Sequence, residues 1–190
     1  MGSEYTQERR AALLEAARGV FLRYGFKKTS MDDLARAANI SRQGLYLHFA
    51  TKEALFREVV TQVVVDGQRR ISAALARDDL PAEERLFGAF EAGSMEKPEG
   101  THVSELLETS QVLLGDVIED VGRTVAQDLT RAIKSSGVAA SWEKTGISAR
   151  ALAEHLQAVS DGLKHRASTR ADYLERMRVA VRIVCRGGRK

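Results

Sequence analysis

Two helix-start signals stand only eleven residues apart, at Ser30 and Ser41, and this spacing constrains the fold more than any other feature of the chain. Ser30 is followed three residues later by Asp33, so each can satisfy the other's backbone N–H as a capping box, with acidic groups at the positive end of the helix dipole. Ser41 can cap a second helix, and Ile40 before it can pack on Leu45 as a hydrophobic staple. Asn39 falls at the turn between them, and asparagine tolerates left-handed dihedrals better than most residues. Helices are therefore predicted over about 31–38 and 42–49. Met31, Leu34, Ala35 and Ala38 make the buried face of the first, Leu45 and Phe49 that of the second, and the small Ala35 allows close crossing.

The flanking sequence continues in helical periods. Leu14, Ala17, Phe21 and Tyr24 share one face of a helix over about 7–24, with Thr6 as its expected N-cap and Gly25 where a left-handed cap is wanted. Thr51 is placed to cap a long helix over about 52–77 that carries Leu55, Phe56, Val59, Val60 and Val63. The only prolines are Pro81, in the first turn of the next helix, and Pro98. Further helices are predicted over about 81–93, 103–114, 117–135, 149–167 and 170–186, the last with a capping box from Thr169 and Asp172. With no run of alternating β-branched residues, the fold is read as all-α with about nine helices. The loops around Pro98 and over 137–146 are expected to be flexible, and residues 187–190 to fray.

Positive charge is concentrated at the N-terminal end. Residues 1–52 hold nine Lys or Arg against five Asp or Glu, or +4, whereas residues 53–190 hold 20 against 21, or −1. This asymmetry suits a module that approaches a polyanion. No uncharged apolar run nears the roughly 20 residues that a membrane helix needs, and the start lacks signal-peptide character, so no membrane partner and a cytoplasmic location are expected. Cys185 is the single cysteine, which rules out an intrachain disulfide; His102 and His155 have no second ligand at helical spacing, so neither metal nor cofactor is expected.

With Leu45 and Phe49 turned inward, Arg42, Gln43, Tyr46, Leu47 and His48 are left outside. Arginine and glutamine are the side chains that pair bidentately with guanine and adenine edges in the major groove of DNA. Gly44, at a helix-propensity cost of about 1 kcal/mol relative to alanine, would let the backbone approach a duplex closely. Tyr46 and His48 can donate to phosphates, and Lys52 can add its charge beside the amides that begin the long helix. The same pattern also fits a compact three-helix unit with an ordinary polar surface.

The run from Ser41 to Phe49, followed by Lys52-Glu53-Ala54-Leu55, resembles the signature of the tetracycline-repressor (TetR) family of bacterial regulators. The likeness extends upstream through Ala16-Ala17, Phe21, Gly25-Phe26, Thr29-Ser30-Met31 and Leu34-Ala35, covering about residues 7–60. It implies a DNA-binding domain over 1–52 and a helical regulatory and dimerisation domain over 53–190. It implies a homodimer on a palindromic DNA operator and a small-molecule inducer, with no catalysis. On the matching positions Arg42, Gln43 and Gly44 would face bases or backbone, Tyr46, His48 and Lys52 would hold phosphates, and Thr29 would anchor the start of the second helix. Gly44 and Leu47 depart from the family pattern, which has a hydroxyl residue often at the first position and an aromatic one at the second; Asn39 replaces a common glycine.

Beyond residue 80 no motif is quotable. Phe87, Phe90, His102, Leu106, Thr109, Val112, Trp142 and His155 are the residues expected to line an inducer cavity, with core packing as the competing role. The last two helices carry apolar residues on more than one side: Leu152, Leu156, Val159 and Leu163, then Tyr173, Leu174, Met177, Val181 and Val184. A helix apolar beyond one stripe needs a second partner, and these residues are expected to pack against a second copy as a four-helix bundle. The competing reading is a helical enzyme or scaffold that keeps the N-terminal unit only as structure. A regulator without an inducer, acting through another protein, is a third.

Overall fold

The computed structural model describes residues 2–94 and 102–187, which form helices joined by short links, without a strand among them. The order is α1 (Gly2–Lys28), α2 (Met31–Ala37), α3 (Arg42–His48), α4 (Lys52–Leu75), α5 (Ala82–Gly93), α6 (Val103–Ser135), a 3-10 segment (Ala139–Thr145), α7 (Ala149–Arg166) and α8 (Arg170–Arg186). Two breaks fall where the sequence asks for them. Gly25 interrupts α1 at φ 77°, ψ 168°, a region that residues with a Cβ avoid, and Leu114 interrupts α6 at φ −136°, ψ 25°. Thr6 lies inside α1 and is not its cap. The stretch 137–146, expected as a flexible loop, is instead wound into the 3-10 segment and pinned by Trp142, whose Nε1 donates to the Val184 carbonyl at 2.8 Å. The expected loop at Pro98 and the last three residues of the tail lie outside the described residues.

Contacts divide the chain into two compact units. The first runs through Val64 and resumes for the stretch ending at Ile118; the second takes Val65 onward through α5 and then Glu119 onward. The sequence reading set the boundary at residue 52, because it follows the charge asymmetry and the motif. The apolar face of α4 nevertheless continues the first unit's core beyond that point: Leu55, Phe56 and Val59 are buried there with Leu14, Ala17, Phe21, Leu34, Ala35, Leu45 and Phe49. Phe21, Phe26 and Phe56 form an aromatic cluster, with Phe56 edge-on to Phe21 at 5.1 Å and tilted on Phe26 at 4.9 Å.

The second unit is built on α5, the later part of α6, α7 and α8. Leu86, Phe87, Phe90, Ile133, Leu152, Leu156, Met177 and Val181 are among its buried residues. Arg85 is 4% exposed within this unit, and its Nη2 donates to the Ala132 carbonyl at 2.8 Å and to Ser135 Oγ at 2.9 Å, while Nη1 pairs with Asp78. It thereby ties the start of α5 to the last turn of α6. Glu83 joins α5 to α8 through Arg182 at 3.2 Å and Arg186 at 2.9 Å. Desolvation pushes the Glu83 carboxyl up, yet the two guanidiniums outweigh it and hold the group below the usual carboxylate range.

A depressed folded pKa stabilises above the unfolded value, and that stabilisation is lost as pH falls through the folded one. Glu83→Gln is therefore expected to lower the urea midpoint at pH 7, and the gap to wild type should close as pH drops below about 4. Equal gaps across that range, read by circular dichroism, would contradict the ion-pair account. Gly25→Ala carries a dihedral cost of about 1–3 kcal/mol and sets a Cβ onto the Glu105 carboxylate. Its unfolding free energy should fall by at least that amount in the same assay.

Candidate nucleic-acid interface

The two short helices are set by their caps. Ser30 Oγ accepts from the Asp33 amide at 3.2 Å, and the Ser30 amide donates back to Asp33 Oδ2 at 3.1 Å, completing the capping box. The Ser30 hydroxyl and amide hold the Asp33 carboxyl below its ordinary range. Asn39 takes the turn at φ 53°, the one positive-φ residue other than glycine among the described residues. Ser41 Oγ accepts from the Gly44 amide at 2.9 Å, and Thr51 Oγ1 from the Ala54 amide at 3.1 Å. Behind α3, Arg10 pairs with Glu58 and lies 5.0 Å above the Phe49 ring, fixing the end of the helix against α1 and α4.

Leu45 is fully buried and Phe49 4% exposed, so α3 turns its other side outward. Arg42, Gln43, Tyr46, Leu47 and His48 are all exposed and Gly44 is half-buried. Arg42 is not idle: Nη1 is 2.9 Å from Asp32 Oδ2 on α2, and its guanidinium lies 5.6 Å from the Tyr46 ring centroid. The Tyr46 hydroxyl, and after it the Asp32 charge, raise the Arg42 pKa above its ordinary value. A carboxylate thus holds the arginine at the start of α3. The sequence reading missed Asp32, since a partner ten residues back on another helix has no spacing rule to reveal it. At Gly44 an added Cβ would lie 3.1 Å from the capping Ser41 oxygen, so the residue has an internal reason as well as any contact outside.

Thr29, expected to anchor the start of α2, and Lys52, expected at a phosphate, are both engaged internally. Thr29 is 3% exposed, and its hydroxyl donates to the Gly25 carbonyl at 2.6 Å, which anchors the approach to α2 and leaves nothing for a duplex. The Lys52 ammonium donates to the carbonyls of Phe26 at 2.8 Å and Thr29 at 2.9 Å and sits 4.4 Å from the Phe26 ring centroid. Those carbonyls lie at the C-terminal end of α1 and in the link to α2, where the helix dipole favours a cation, so Lys52 has a structural reason to be there. Lys27 and Lys28 next to them are exposed.

The residues expected to line an inducer cavity are divided between the two units. His102, Leu106 and Thr109 belong to the first unit; Phe87, Phe90, Trp142 and His155 belong to the second. Phe87 and Phe90 are buried core, Thr109 bonds back to the Glu105 carbonyl, His155 is exposed on α7, and Val112 is 83% exposed on α6. Two clefts occur in the second unit and none of these residues lines either. One, of about 540 Å³, is lined by Arg70, Gly88, Glu91, Ala92, Ser94 and Arg170; the other, of about 660 Å³, lies around Pro81, Glu83, Val138, Ser141, Cys185 and Arg186. Of the residues expected at a dimer interface, Leu152, Leu156, Tyr173, Met177, Val181 and Val184 are buried in their own unit's core, where α8 packs on both α5 and α7. Val159 and Leu163 are half-buried, and the apolar residues that α8 leaves outside are Val179 (53%) and Ile183 (57%).

The capped pair of short helices falls within a match to the family model described as bacterial regulatory proteins, tetR family, over residues 13–59. Over these 47 of its 190 residues the chain is similar to the TetR family. The HTH-type transcriptional regulator YfiR of Bacillus subtilis (strain 168) is 38% identical over 68 residues, 36% of this chain and 33% of that protein. The HTH-type transcriptional repressor DhaR of Mycobacterium sp. (strain GP1) is 34% identical over 83 residues, 44% of this chain and 42% of that one. The chain thus spans about a third to two fifths of the length of these curated relatives. Similarity across nearly the whole chain comes from fold alone: a transcriptional regulator from Saccharomonospora viridis, solved in complex with choline, superposes with a TM-score of 0.71 at 21% identity, covering 94% of this chain and 96% of that one.

Lys52→Met keeps the aliphatic stem over Phe26 and removes both ammonium bonds. It is expected to cost about 1–3 kcal/mol in unfolding free energy while leaving the salt dependence of any DNA binding unchanged. Unaltered stability with a shallower salt slope would return Lys52 to a phosphate role.

Proposed function

We propose that this chain is a homodimeric, sequence-specific DNA-binding transcriptional regulator that represses from a palindromic operator and is released by a small-molecule ligand. The observation that carries the reading is the outer face of α3: five consecutive-turn side chains stand in solvent on a helix capped at its start and clamped at its end. Gln43 offers the paired donor and acceptor that match adenine, and Arg42 the fork that matches guanine. Lys27, Lys28, Tyr46 and His48 supply exposed donors for the phosphate backbone, with Lys52 and Thr29 holding the frame.

Two-fold symmetry follows from the chemistry of the target, since a recognition helix of two turns reads too few base pairs alone, and half-sites one helical turn apart lie about 34 Å from each other. The outer edges of α7 and α8, with Val159, Leu163, Val179 and Ile183, are the surface a second copy would cover. Repression is the sign favoured, as DhaR is named a repressor, and ligand release is supported by the choline complex of the S. viridis protein.

Selection of bound duplexes from a random pool tests the reading. An inverted repeat should emerge whose affinity falls steeply with salt as neutralised phosphates release counterions. Gln43→Ala should cost about 1–3 kcal/mol of discrimination at one base pair per half-site and little on random DNA. Recovery of no sequence above background at low salt would overturn the assignment.

A further inference from the structure

We propose that Leu47 is a specificity-determining residue that contacts the C5-methyl group of a thymine beside the base read by Gln43. The inference rests on α3 lying in the major groove. Leu47 is 84% exposed, the most exposed large apolar side chain among the described residues, although Leu45 and Phe49 on either side of it are 0% and 4% exposed. It therefore has no part in the core of its own unit. A single exposed leucine on an ordinary surface needs no explanation, but this one stands among the groups that face outward from α3.

Its neighbours fix what it can meet. Gln43 and Leu47 are four residues apart, so they share one edge of the helix, and a helical side chain leans back toward the N-terminus, bringing Leu47 toward Gln43. Arg42 and Tyr46 form the adjacent edge and engage each other. The two edges differ in character: one is charged and tied to Asp32, the other pairs an amide with a bare isobutyl group. Four residues rise about 6 Å along the axis, slightly under two base-pair steps of about 3.4 Å. In the major groove the apolar feature presented by the four natural base pairs is the thymine methyl. A leucine placed against any other base edge would desolvate a donor or acceptor without replacing its partner.

The test uses the full-length protein and the operator recovered by selection, with each thymine replaced singly by deoxyuridine, which removes the methyl group and nothing else. One position per half-site, within two base pairs of the adenine whose recognition is lost in Gln43→Ala, should weaken wild-type binding about fourfold, the equivalent of one buried methyl-sized group. Leu47→Ala should bind thymine and uracil operators equally there, with an unchanged melting temperature. Uniform wild-type affinity across all uracil substitutions would overturn the proposal, as would a penalty that survives in Leu47→Ala; both leave DNA binding itself intact. If no duplex binds at all, the reading of α3 falls first and this inference with it.

Discussion

The carbonyl groups around the Gly25 break at the end of α1 draw in donors from distant elements, and much of the first unit meets at that point. The Gly25 break falls six residues before α2 begins at Met31. The His102 amide, at the start of α6, takes the Leu22 carbonyl at 2.9 Å; the Thr29 hydroxyl takes that of Gly25; the Lys52 ammonium, at the start of α4, takes those of Phe26 and Thr29. In the opposite sense Glu105 accepts the Lys27 amide at 3.0 Å in the space that a side chain at residue 25 would occupy. Three helix starts and one helix end thus meet in a single polar knot. An unmet buried carbonyl there would cost more than each net bond gains, so removing any one of these donors should be felt beyond its own contact.

How much of this was legible in the sequence follows from the range of the interactions. Caps act over three residues, so Ser30–Asp33, Ser41, Thr51 and the start of α8 at Thr169 are readable, and each is found where its spacing places it. Breaks with a local cause, Gly25 and Asn39, are equally plain. The burial pattern of α2 and α3 follows from their period. Interactions between distant segments left no such trace: nothing in the order of residues says that Lys52 reaches back 26 positions to Phe26, or that Asp32 takes hold of Arg42. The boundary between the units was missed for a related reason, since α4 is one continuous period that serves both.

The apolar excess on α7 and α8 shows the limit of reading a stripe. Hydrophobic residues on two sides of a helix demand two partners, but the pattern does not say whether both belong to the same chain. Here α5 and the later part of α6 supply much of what the sequence reading assigned to a second copy, so the most buried positions, Leu156, Met177 and Val181, record the interior of the second unit. The large apolar side chains that α8 leaves in solvent are Val179 and Ile183, set among its arginines where the apolar period is weakest.

The Asp32–Arg42 pair matters for placement more than for stability. Both side chains are half or more exposed, 50% and 60%, so water screens the attraction and the pair adds little to the folding free energy. What it does is restrict a long side chain: the α2 carboxylate on one side and the Tyr46 ring on the other leave the Arg42 guanidinium few of the rotamers open to a free surface arginine. A group that meets the outer start of α3 therefore meets an arginine whose ordering cost has already been met within the chain.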